Sequence, residues 1–116
     1  DIGHPCAVEI ATELIRDNPD DIHAHALYQI ASGDNNPFVL QMYKEQYEES
    51  KNDRNALLYA GAIYQMNKDA YCDDAVRDLL NTTSKDLDLQ YAKLRLEIMR
   101  QKTCDKKIKP ERRVKP

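Results

Sequence analysis

Residues 55–66 read Asn-Ala-Leu-Leu-Tyr-Ala-Gly-Ala-Ile-Tyr-Gln-Met, and this run constrains the fold more than any other. Apolar side chains cover nearly the whole circumference of the helix it predicts, so that helix should be the most buried one. Gly61, without a Cβ, lets a neighbouring element approach closely. After the turn at Asn67, Lys68 and Asp69, residues 71–80 carry Ala75, Val76, Leu79 and Leu80 on one side. The pair reads as two short helices packed back to back.

The rest of the chain has the same grammar. Pro5 suits a first helical turn, where its missing N–H costs nothing. Ala7, Ile10, Ala11, Leu14 and Ile15 then recur at helical spacing until Asn18-Pro19 stops the helix. Asp20 and Asp21 are placed to cap the next helix, which carries Ala24, Leu27, Tyr28 and Ala31 on one face. Gly33 ends it, and residues 33–37 form the clearest loop. A third helix follows Pro37, with the stripe Phe38, Val39, Met42, Tyr43 and Tyr47. Asn52-Asp53 breaks it and caps the helix over 55–66. Residues 81–84 read as a loop, with Ser84 as the cap of a last helix. Leu87, Tyr91, Leu94 and Ile98, with Leu89 and Leu96, line that helix, which frays past Met99. No segment alternates apolar and polar residues over a strand's length, so the expectation is an all-α fold without a sheet.

At 116 residues the chain has the size of one domain and can bury a core without metal or disulfide support. Trp is absent and Phe38 is the one Phe, which leaves Leu, Ile, Ala and the seven Tyr to fill that core. The net charge of −3 conceals an asymmetry: eight of the 17 Lys/Arg but only two of the 20 Asp/Glu lie from Arg100 onward. An acidic body with a basic end is not the pattern of a nucleic-acid-binding domain, whose positive charge spreads over a folded face. The expected organisation is one helical domain over residues 1–103 and a basic, flexible tail over 104–116. No apolar run is long enough to span a bilayer. The chain starts at Asp1 with no Met and no visible signal peptide. A removed export signal and a trimmed sequence both fit, and a periplasmic or secreted location is slightly favoured over a cytoplasmic one. Three Cys do not decide the compartment.

Three segments carry a family resemblance. Residues 7–19 resemble the second helix of a tetratricopeptide repeat, with Ala7 at the small packing position, Leu14 near the helix end and Pro19 closing the unit. Residues 58–64 resemble the first helix of a tetratricopeptide or Sel1-like repeat, with Gly61 and Tyr64 three apart, and Tyr71 and Ala75 match the start of its second helix. Residues 26–33 are a weaker copy with Gln29 where the small residue belongs. Helix three departs from the pattern. The resemblance implies about six helices as stacked antiparallel hairpins; an irregular helical bundle is the alternative. In such a stack the first helices line a concave face, which makes Asn55, Leu58, Ala62 and Gln65 the partner-binding candidates.

Few residues invite chemistry. His4 and Cys6, and His23 and His25, suggest metal ligands, but His23 and His25 lie roughly 200° apart around a helix and cannot share an ion. They read as a chain end and two helix-surface imidazoles, and a half-buried one could sense pH. The acidic pairs Asp20-Asp21, Glu48-Glu49 and Asp73-Asp74 are explained by capping and solubility. No phosphate loop, nucleophile elbow or His-Glu-x-x-His occurs. No cofactor and no metal site is expected. Cys72 and Cys104 would close a loop of about thirty residues, worth roughly 3–4 kcal/mol as a disulfide. Measured from the turn between them, Cys104 lies about 30 Å away and Cys72 about 18 Å, so the bridge requires the chain to fold back, and two ordinary thiols are the alternative. The tyrosines fall mostly at core spacing, although Tyr also favours interfaces.

The expected function is therefore a non-enzymatic module that binds a protein or peptide partner, with dimerisation as one way to gain area. The alternative is a small immunity or inhibitor protein blocking a toxin or enzyme, with the 33–37 loop as the inserted element and the acidic body attracting a basic target. An enzyme or metal protein using His23, His25 or clustered carboxylates is the third reading.

Overall fold

The computed structural model describes residues 5–32 and 37–113, with side chains described for 6–32 and 37–104. Those residues form an all-α fold of six helices: α1 (Pro5–Asp17), α2 (Ile22–Ser32), α3 (Pro37–Glu49), α4 (Asp53–Met66), α5 (Asp74–Leu80) and α6 (Leu87–Arg113). A 3₁₀ turn, Ala70–Cys72, precedes α5, and no strand occurs among the described residues.

Local chemistry sets most helix starts. Asp21 accepts the His23 N–H at 2.9 Å at the start of α2, and Asn52 accepts the Asn55 N–H at 2.8 Å at the start of α4. Each satisfies one of the free N–H groups that a helix leaves at its N-terminus. The cap of α6 is Asp86 rather than Ser84: its Oδ1 accepts the Asp88 N–H at 2.8 Å, and Ser84 Oγ instead accepts the Asp86 N–H. The segment 71–80 is not one helix. The 3₁₀ turn ends at Cys72, Asp73 is extended, and α5 starts afresh, leaving Ala75 exposed. The last helix passes the fraying point expected at Met99 and ends at Arg113.

Helix α4 is the axis of the molecule, packed against α2, α3, α5, α6 and the 3₁₀ turn. Ala60, Gly61 and Ala62 give it a slim waist, around which Leu57, Tyr71, Val76, Leu80 and Leu96 close. Helices α1 and α2 pair across one short turn, and α3 and α4 across another. The last third differs in kind. Residues 81–86 form no helix, and the segment is tied by Lys93 Nζ donating to Thr82 O (2.8 Å) and Thr83 N–H donating to Asp53 (3.2 Å).

Cys72 reaches Cys104 because the chain breaks at Asp73 and residues 81–86 lead without a helix into α6. The two are bridged, with Cα atoms 5.6 Å apart. The bridge thus closes a circuit of α5, residues 81–86 and the roughly 25 Å of α6 from Leu87 to Cys104. The length mismatch expected from the sequence assumed one helix from Tyr71 to the loop, and the break at Asp73 removes that assumption. Arg100 reinforces the junction by donating to the carbonyls of Tyr71 (3.2 Å), Cys72 (3.1 Å) and Asp73 (3.2 Å).

Candidate partner-binding surfaces

The four groove candidates do not share an open face. Leu58 is 4 % exposed and Ala62 fully buried, both inside the core around α4. Asn55 is engaged in the turn before its own helix, its Nδ2 donating to Ser50 O at 2.8 Å and to Gln46 O at 3.3 Å. Gln65 is half-buried beside Ile30, Arg95 and Met99. The physical reason is that α4 is surrounded: the face expected to line a groove is covered by α2 and α6. Gly61 does admit a close neighbour. Gln29 lies against it and donates from Nε2 to Leu58 O at 2.8 Å, and a Cβ on Gly61 would stand 2.7 Å from Gln29 Oε1.

An open apolar surface lies instead between α1 and α2. Ile10, Leu14, Leu27 and Ile30 line a groove of about 370 Å³, with Ile10 60 % and Leu27 51 % exposed. Among the described residues, helix α1 packs on α2 and makes no comparable contact elsewhere, which leaves much of its stripe exposed. Along α1, Glu13 and Asp17 interleave with Ile10 and Leu14 at i, i+3, i+4, i+7 steps and are exposed, giving that edge of the groove an acidic border. Helical spacing put Ile10 and Leu14 on one stripe of α1 and Leu27 on one face of α2, and it did not single out Ile30. The available signal was that α1 carries a full stripe yet has only one sequence neighbour to bury it.

The polar groups that the fold gathers are engaged internally. His25 is buried, not a surface imidazole: its Nε2–H donates to Pro19 O (2.8 Å), which fixes the tautomer, so Nδ1 accepts from Tyr43 O–H (2.8 Å). It thereby fastens the α1–α2 turn to α3. His23 is exposed and stands 3.4 Å from Asp88 across to α6. One open depression of about 920 Å³ has the disulfide in its wall with Arg77, Asp78, Glu97 and Arg100. A second, of about 490 Å³, is bordered by Asp17, Asp20, Asp21, His23 and Asp88. Among the described residues, no three His, Cys, Asp or Glu side chains are grouped to hold a metal ion, and no helix is long and apolar enough to cross a membrane. His4 and residues 33–36 of the candidate inserted loop lie outside the described residues.

No protein-family model matches the chain, and no curated protein or solved structure is significantly similar to it.

Proposed function

We propose that this chain is a non-enzymatic helical module that binds a protein partner, and that the contact is the groove between α1 and α2. The observation that carries the reading is the run of exposed large apolar side chains, Ile10, Leu14, Leu27 and Ile30, lining one depression. Patches of this kind on a small protein mark interaction sites. In this reading α1 stands as the second helix of a degenerate tetratricopeptide unit, α2 as a weaker copy of a first helix, and α4 with Tyr71 and Ala75 as a first helix and the start of its second.

The form of the groove selects its occupant. Two adjacent helices with an apolar cleft between them take a third amphipathic helix, which supplies side chains at i, i+3, i+4 and i+7. Glu13 and Asp17 along one edge favour a helix whose apolar stripe is flanked by Lys or Arg. The test is a methyl-resolved titration with two synthetic helical peptides that share a Leu stripe, one flanked by Lys and one by Glu. The Lys peptide should shift the methyls of Ile10, Leu14, Leu27 and Ile30 and lose affinity with salt. Leu27→Glu should abolish the response. Equal binding of both peptides, or shifts elsewhere on the protein, would overturn the reading.

A further inference from the structure

Helix α6 has two apolar faces, and only one meets the core. Leu89, Ala92 and Leu96 point inward. Leu87, Tyr91, Leu94 and Ile98 lie on the opposite side and are 78, 58, 56 and 43 % exposed. Their steps of four, three and four residues are those of a coiled-coil seam, d-a-d-a. Gln101 and Ser84 stand at the next seam positions in either direction, so the stripe is bounded.

We infer that this stripe pairs with the same stripe of a second copy of the chain, the two α6 helices running antiparallel. The spacing four-three-four reads the same from both ends. Laid antiparallel on itself, it sets Leu87 against Ile98 and Tyr91 against Leu94, each pair occurring twice. The flanking positions agree. In this register Asp88 of one copy falls beside Arg95 of the other, again twice, and Gln90 falls beside Glu97. Asp88 is well exposed, and Arg95 is half-buried with its guanidinium 3.8 Å from the Met99 sulfur.

The charge of the whole helix selects antiparallel over parallel. From Arg100 to Arg113 the helix sequence holds seven Lys/Arg and two Asp/Glu. Parallel pairing would lay two such halves side by side. Antiparallel pairing separates them and carries each past the N-terminal end of the other α6, where Asp17, Asp20, Asp21 and Asp88 border one depression. Opposed helix dipoles add to the preference. The seam is four residues long, well short of a standard interface, so the dimer is expected to dissociate in the micromolar range.

Sedimentation equilibrium of the full chain tests this, in a Cys6→Ser background so that no intermolecular disulfide counts. The expected result is a reversible monomer–dimer equilibrium that Leu94→Glu weakens by more than about tenfold. Leu94 is exposed in the monomer, so its circular dichroism and melting should stay unchanged. Leu27→Glu, in the groove between α1 and α2, should leave dimerisation intact. Asp88→Arg and Arg95→Asp should each weaken the dimer and together restore it. A chain that stays monomeric at the highest concentration, or a Leu94→Glu variant that dimerises like the parent, would overturn the proposal. Failure of the charge reversal to rescue would overturn the antiparallel register.

Discussion

Three residues hold more of this molecule than their number suggests. Tyr43 and Tyr71 are fully buried. Tyr43 donates to His25, and Tyr71 donates to Leu96 O at 2.6 Å. Burial, with the neighbouring phenols Tyr28 and Tyr64 adding to it, pushes both hydroxyls well above the ordinary value of 10.0. Their folded-state pKa is raised, so the native chain keeps protons that the unfolded chain would release. This contribution to stability is whole below about pH 10 and is lost as pH rises above it. Thermal melting should therefore hold level between about pH 8 and 9.5 and fall beyond 10, with a shallower fall in Tyr71→Phe. Tyr43→Phe should also cost about 1–3 kcal/mol in urea unfolding at neutral pH, because buried Nδ1 of His25 loses its donor. Gly61 is the third. Gly61→Ala gains about 1 kcal/mol in helix propensity but pushes on Gln29, whose buried amide would leave Leu58 O. The net expectation is a loss of about 1 kcal/mol by urea unfolding, and a stabilised variant would show that Gln29 moves aside freely.

At the level of elements, the junction of the 3₁₀ turn with α6 is fastened in three ways. It combines Tyr71 O–H on Leu96 O, Arg100 on three carbonyls and the Cys72–Cys104 bridge. The bridge closes a loop with a separation of 32 residues, which the chain-entropy account values at about 4 kcal/mol. Cys104→Ser should lower the unfolding free energy by that order, and reduction of the parent should reproduce it. If the variant loses under about 1 kcal/mol, residues 72–104 are already close in the unfolded chain and the entropic argument fails.

Across the whole molecule, burial falls from α4 outward. Among the described residues, every other element but α1 packs on α4, and α1 packs chiefly on α2. Hydrogen exchange should follow that order. Amides of α4 should exchange through global unfolding, and those of α1 through a local opening of much lower free energy. Equal protection of α1 and α4 in dilute solution would mean that something covers the α1 stripe. Exchange in the presence of the Lys-flanked peptide should raise protection in α1 and α2 first, and protection confined to α6 would instead report self-association.

Much of the fold was legible in the residues themselves, because the signals are local. The all-α class follows from the period of the apolar residues, the caps from Asp21 and Asn52, and the central place of α4 from its apolar circumference. The candidate surface was not legible. Helical spacing says which residues share a face, and it is silent on which face meets the core. In α6 both faces have the right period. The one with Ala92 turned inward, because Cys104 and Arg100 lie on that side and are anchored to the 3₁₀ turn, and Leu87, Tyr91, Leu94 and Ile98 were left outside. The same holds for Leu58 and Ala62, whose burial depends on α2 and α6 arriving from distant parts of the chain. Local periodicity therefore determined the helices, and contacts between remote segments decided which apolar faces remained free to bind.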